Sequence, residues 1–120
     1  MMNKRHITIE DLHTSLQKIS DDRDWEQYHS PRNLAMALSV EVGELLELFL
    51  WCSDNGPQPP ITARENSVKE EVADIFICLL NFCRKMNIDL YEVTNHKIAA
   101  IENKYPIEKS KGKLEKHNEL

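Results

Sequence analysis

Two stretches of this chain, thirty residues apart, carry the same helical pattern. Glu41-Val42-Gly43-Glu44-Leu45 aligns with Glu71-Val72-Ala73-Asp74-Ile75, and Leu38, Phe49 and Leu50 align with Val68, Leu79 and Leu80. At about 100° per residue, Leu38, Val42, Leu45 and Phe49 form one apolar stripe, and Val68, Val72, Ile75 and Leu79 form its counterpart. Glu41 then lies about 60° to one side of Leu38 and Glu44 about 60° further round, with Glu71 and Asp74 at the same angles on the second helix. Each helix is expected to hold an acid pair at i, i+3 along the edge of its core face. Gly43 and Ala73 are small, which permits close approach of two helices or of a ligand.

The remaining punctuation is also helical. Thr8 with Asp11 reads as a capping box, and Ile9, Leu12, Leu16 and Ile19 give a helical period to about Arg23. An aromatic and polar connector, Asp24 to His29, follows. Ser30-Pro31, a capping serine before a proline at the first helical position, opens a second helix that runs to about Cys52. Ser53 to Pro60 is a break rich in Gly and Pro. A third helix is expected from Thr62, boxed by Glu65, to about Lys85, and a fourth from Asp89, with Glu92 three residues on, to just before Pro106. No strand-like alternation, βαβ unit or Gly-rich phosphate loop occurs. The expected fold class is all-α, a four-helix-bundle-like domain over residues 1–106, completed by oligomerisation because so short a chain buries little by itself. Residues 107–120 form a polar, lysine-rich tail, mobile or acting as an arm on a partner subunit.

A net charge of −5 disfavours non-specific nucleic-acid binding, which needs a basic face. It does not disfavour a nucleotide that arrives with its own magnesium. The apolar runs fall far short of a membrane span, and Met1 to Ile9 lacks the apolar stretch of a signal peptide. Three cysteines, Cys52, Cys78 and Cys83, without CxxC spacing argue against disulfides and zinc; a reducing cytosol is the expected location. The histidines share no spacing that suggests a metal site, and neither acid pair has His at i+3, which argues against redox iron.

The acids carry the chemistry. A single Glu-x-x-Glu is usually a solvated helix face with partners such as Lys69. Two matched pairs beside apolar stripes on consecutive helices are harder to explain that way. Four carboxylates gathered at a core edge repel one another and raise each other's pKa values. A divalent cation resolves the conflict, and Mg²⁺ prefers hard oxygen ligands while keeping waters and substrate phosphates in its shell. Such ions polarise phosphoryl groups and activate water. Glu47 and Glu70 are second choices, for a water contact or an outer role.

Glu41-x-x-Glu44 followed by Glu71-x-x-Asp74 resembles the MazG-like all-α nucleoside triphosphate pyrophosphatases, most closely their dCTP pyrophosphatase branch. Arg23 to Leu34, Glu47 to Trp51, Lys97 and Lys104-Tyr105-Pro106 extend the likeness, which covers roughly residues 8–106. The resemblance implies hydrolysis between the α and β phosphates, giving a monophosphate and pyrophosphate. It implies Mg²⁺ held by Glu41, Glu44, Glu71 and Asp74, a homo-oligomer built as a dimer of dimers with sites at subunit interfaces, and a role in clearing aberrant or excess nucleotides.

Trp25 and Trp51 are candidates to stack on a base, or else core anchors; Trp51 falls opposite the apolar stripe, which weakens the second possibility. His29 and Asn33 are candidates for base or sugar edges, and Lys97 and Tyr105 for phosphates, possible also from a neighbouring subunit. Cys78 stands where relatives often carry an aromatic, Ile101 where they often carry Asn, and Leu16 where some have His; these departures bear on base and sugar selectivity. Two other functions compete: a non-catalytic helical interaction module, with acids as a solvated face, and a phosphohydrolase cleaving a different bond.

Overall fold

The computed structural model of the protein describes residues 6–120. Every regular element among them is helical: α1 (Ile9–Asp22), α2 (Pro31–Phe49), α3 (Glu65–Met86), α4 (Leu90–Lys104) and a single turn, α5 (Ile107–Ser110). Short 3₁₀ segments lie at Glu26–Tyr28, Ile61–Arg64 and His117–Glu119. The expected all-α class is therefore observed. The reading of the N-terminus as polar and leaderless falls in part on residues 1–5, outside the described residues. No described helix is long and apolar enough to cross a membrane.

Local chemistry accounts for most helix ends. Thr8 accepts from the Asp11 N–H while Asp11 accepts from the Thr8 N–H, a complete capping box. Ser30 accepts from the Asn33 N–H at 3.1 Å ahead of Pro31, and Asp89 accepts from the Glu92 N–H at 3.1 Å. Asn87 closes α3 in the left-handed region, which asparagine tolerates. The third helix departs from expectation. Ile61–Arg64 forms a 3₁₀ turn after three prolines in four residues, and α3 begins only at Glu65 with no side-chain cap. The Thr62–Glu65 box does not form. α2 likewise ends at Phe49, short of Cys52.

The chain divides into two compact units, Met1–Asn87 and Ile88–Leu120. In the first, α2 packs chiefly on α3, and α1 on α3. Two cross-contacts fix the α2–α3 register as antiparallel. Arg64 donates to the Leu48 carbonyl, capping the C-terminal end of α2 with a cation. Seven residues back along α2 and seven forward along α3, Glu41 meets Glu71. Leu34, Leu80 and Cys83 are buried, and α1 adds the buried Ser20.

The buried faces differ from the expected stripes. On α2 the shielded positions include Leu34, Ala37, Leu38, Glu41, Leu45 and Leu48; on α3 they include Val68, Glu71, Ile75, Cys78, Leu79 and Phe82. Val42, Phe49 and Val72, read as core, are 40%, 46% and 51% exposed. Each helix is turned so that Glu41 and Glu71 lie within the packed face rather than beside it. α1 turns in the same way: Ile19 is exposed and Ser20 is buried.

In the second unit no side chain is fully buried, and Tyr91, Val93, Ile98, Ile101, Ile107 and Leu114 are exposed. The lysine-rich tail carries α5 and the last 3₁₀ turn, and the ring of His117 stands edge-on to Tyr105, centroids 5.8 Å apart.

Candidate functional site

α2 and α3 each deliver one acid into their shared face and one to its rim. Glu41 and Glu71 are half-buried and Glu44 is exposed, yet all three offer carboxylate oxygens within 4.8 Å of one another. The i, i+3 spacing explains this, since one helical turn brings Glu41 and Glu44 side by side. Asp74 does not join that tight set, but its charge acts on both Glu41 and Glu71. Glu47 and Glu70 are exposed and stand outside it.

The electrostatics are those of like charges held together. Glu44 beside Glu41, followed by burial and by the charges of Glu44, Asp74 and Glu71, pushes the Glu41 carboxyl from 4.5 up to about 7. Burial, then the Glu44 charge, raises Glu71 as well. Cys78 lies in the same field: burial, then Glu41 and Asp74, raise its thiol. One buried oxygen of Glu41 and one of Glu71, each Oε2, have no hydrogen-bond partner. A buried carboxylate oxygen without a donor is costly and calls for a proton or a cation. Hard oxygen donors, more than one of them orphaned and supplied by two facing helices, fit a hydrated divalent ion such as Mg²⁺. Gly43 faces open space: a Cβ there would meet no atom within 4 Å. Among the described residues, no helix makes the close approach that Gly43 permits.

The other candidate residues are distributed as follows. Trp25 follows α1, its ring edge-on to His29 at 6.4 Å, with the Arg23 guanidinium 5.7 Å above it. Asn33 spends its side-chain amide on the Tyr28 carbonyl at 3.0 Å, which ties the connector to α2. Trp51 sits just beyond α2, 77% exposed, with a left-handed backbone of φ 64°. A large aromatic in that region is strained by about 1–2 kcal/mol, and such exposure leaves little packing to offset it. Neither tryptophan is a buried core anchor. Lys97 is exposed on α4, and Tyr105 is half-buried at its C-terminal end. Both belong to the second unit.

Residues 36–120 match the MazG-like family. The chain is 37% identical over 115 residues to mouse dCTP pyrophosphatase 1, spanning 94% of this chain and 68% of that protein. It is 36% identical to the human protein of the same name, with the same coverage. A crystal structure of a pyrophosphatase from Archaeoglobus fulgidus superimposes with a TM-score of 0.76 at 36% identity, covering 88% of this chain and 99% of the other.

The chain belongs to the MazG-like family. It is accordingly an enzyme of the pyrophosphohydrolase kind, and the non-catalytic interaction module is set aside. In this MazG-like chain one cluster beside the connector carries no sequence signal. Glu26 Oε1 accepts from the buried Ser20 hydroxyl at 2.9 Å and from Arg84 at 3.1 Å, while Oε2 pairs with Lys85. Arg84 also donates to Gln17 and to Asn81. The Lys85 ammonium foremost, aided by Ser20 and Arg84, holds the Glu26 carboxyl down at about 2. Arg84 and Lys85 are 58 and 59 residues from Glu26 in sequence, so no local pattern announces them. The cluster ties α1, the Trp25–His29 connector and the C-terminal end of α3 into one piece.

Proposed function

We propose that this enzyme hydrolyses nucleoside or deoxynucleoside triphosphates between the α and β phosphates, releasing a monophosphate and pyrophosphate. The observation that carries the proposal is the pair of orphaned carboxylate oxygens, Glu41 Oε2 and Glu71 Oε2, beside Glu44 at the centre of the α2–α3 face. Glu41, Glu44, Glu71 and Asp74 are the residues that would hold Mg²⁺. The ion supplies charge neutralisation and polarisation of the phosphates. No serine–histidine–acid arrangement is needed, because water is the nucleophile. Glu44 or Glu41 orients that water and takes its proton. Trp25 and Trp51 contribute exposed rings for stacking on the base. His29 and Asn33 supply polar atoms for base or sugar, and Lys97 and Tyr105 serve the phosphates.

The relatives named for dCTP make dCTP the first substrate to test. Cys78, Ile101 and Leu16 depart from the relatives' pattern at positions that bear on base and sugar selectivity, so the panel extends beyond dCTP. The working assembly is a homo-oligomer, a dimer of dimers, supported by the apolar side chains that α2 and α3 leave exposed, among them Met36, Val40, Leu46, Phe76 and Ile77. Residues 1–106 form the catalytic domain and 107–120 a tail that docks on a partner subunit. Three free cysteines suit a reducing cytosol, where the enzyme clears unwanted nucleotides from the pool.

Product analysis tests the proposal. The protein is incubated with a panel of canonical and modified triphosphates, in Mg²⁺ and in EDTA, and the products are separated. Monophosphate and pyrophosphate formed in Mg²⁺ and lost in EDTA are expected. Diphosphate and orthophosphate would overturn the cleavage site, and equal turnover in EDTA would overturn the metal centre.

A further inference from the structure

Ser20 is the one buried polar residue among those described, 1% exposed, and its hydroxyl stands between two groups. On one side is Glu26 Oε1 at 2.9 Å; on the other is His29 Nδ1 at 3.3 Å. A serine hydroxyl has a single proton to give and lone pairs to accept with. Glu26 is paired with both Arg84 and Lys85, so it is ionised and can only accept. The Ser20 proton is therefore committed to Glu26. What Ser20 has left for His29 is a lone pair, and the contact is satisfied only if His29 Nδ1 carries a proton and donates.

From this geometry we infer that Ser20 and Glu26 are positioning residues that fix His29 as its Nδ1–H tautomer, leaving Nε2 as a hydrogen-bond acceptor that selects an N–H or O–H donor on the ligand. The tautomer follows from the contacts alone. Its selective role rests on the nucleotide binding proposed above. Free imidazole side chains favour the opposite tautomer, with the proton on Nε2, so the buried serine reverses the default. A phosphate or carbonyl oxygen offers nothing to an unprotonated Nε2. An exocyclic base amine or a sugar hydroxyl does, and both are donors of the chemistry required. The edge-on Trp25 ring borders the same imidazole, so the residue proposed to stack on the base and the residue proposed to read a donor are held as one unit.

Two measurements test this, and they fail separately. The first is long-range ¹H–¹⁵N correlation on protein labelled with ¹⁵N-histidine, at about pH 8.5, where an ordinary imidazole is neutral. His29 is assigned by the loss of its signals in His29→Gln. Nδ1 is expected to be protonated in the parent. Ser20→Ala, a small change that keeps helix α1, is expected to shift His29 to the Nε2–H form. Glu26→Ala removes the acceptor of the serine proton, frees that proton for His29 Nδ1 and is expected to do the same; circular dichroism confirms that both variants are folded. A parent with Nε2 protonated, or with both nitrogens protonated, overturns the tautomer whatever the enzyme turns over.

The second measurement is steady-state kinetics of Ser20→Ala against the parent, with dCTP, with dUTP, which lacks the exocyclic amine, and with 2′,3′-dideoxycytidine triphosphate, which lacks the sugar hydroxyl. For dCTP, KM is expected to rise about tenfold with kcat within about twofold. The rise should vanish for whichever analogue lacks the paired donor, and that analogue identifies its source. An equal rise on all three, or none, overturns the selective role while the spectroscopic result stands. A parent that turns over no triphosphate would sink the proposed function and this role with it, and would leave the tautomer to be decided by the spectra.

Discussion

Glu41 and Glu71 occupy equivalent positions on matched antiparallel helices, and each buries a carboxylate oxygen that has no hydrogen-bond partner. In the absence of a cation these groups work against the fold, because burial and mutual repulsion both disfavour their charged forms. Mg²⁺ is therefore expected to raise the Tm of the parent relative to EDTA. Glu71→Gln removes one buried charge, so it should melt at a higher temperature than the parent in EDTA and gain little from Mg²⁺. Identical melting of the parent in Mg²⁺ and EDTA would mean that these acids do not hold the ion.

Glu44 is exposed and contributes little packing, yet its oxygen lies within 4.8 Å of those of both half-buried glutamates. Substitution there separates chemistry from folding. Glu44→Gln and Asp74→Asn are expected to lower kcat by about 100-fold or more, the scale of losing a preorganised electrostatic group, with helicity unchanged by circular dichroism. Full activity in either variant would remove that residue from the centre.

The two perturbed glutamates set opposite limbs of the stability profile in EDTA. Glu41 is raised in the folded state, to about 7 from 4.5. As pH climbs through that window the unfolded chain ionises first, so folding stability falls between about pH 4.5 and 7. Glu26 is depressed to about 2, so its contribution is present above pH 4.5 and is lost as pH falls towards 2. Urea titrations across pH 2–8 are expected to show both limbs. Glu41→Gln should flatten the neutral limb, and Lys85→Ala the acid one. A profile in which neither variant changes its limb would contradict these assignments.

The caps and the acid pairs were readable because both are local. Thr8 with Asp11, Ser30 before Pro31, and Asp89 with Glu92 each satisfy backbone donors within one turn, and Glu41-x-x-Glu44 needs only helical geometry. The inward face was not readable, because Val42, Phe49 and Val72 are as apolar as Leu45 or Ile75. Periodicity cannot distinguish a face covered by the chain's own helices from one left open. Ser20 and Glu26 were missed for another reason. A buried serine in an amphipathic helix looks like a solvated one, and its significance depends on Arg84 and Lys85, far away in sequence. Thr62 and Glu65 had cap chemistry, but the prolines before them drive a 3₁₀ turn instead.

Trp51 combines exposure with a left-handed backbone, so the folded chain gains almost nothing from its side chain. Trp51→Gly is expected to leave Tm unchanged or raised, since glycine adopts φ 64° without penalty, whereas Trp51→Ala keeps the strain. Both should raise KM several-fold to about 100-fold, the range for losing one base–aromatic stack, with kcat changed less. A KM equal to the parent's in both variants would place Trp51 outside the pocket.

Leu46 is 66% exposed on α2, on the side facing away from the α3-packed face, and Val40 and Met36 are exposed on the same helix. An apolar surface of this kind usually marks an interface. The same face bears Gly43, where a Cβ would meet nothing within 4 Å, so another backbone has room to approach. Light scattering coupled to size exclusion is expected to give a mass of several chains for the parent. Leu46→Glu places a charge in the proposed contact and should shift the mass towards a single chain, with a lower Tm because exposed apolar area is no longer covered. Since α2 also carries Glu41 and Glu44, activity should fall along with the assembly. A monomeric parent that retains full activity would show that the exposed face of α2 serves something other than a second copy.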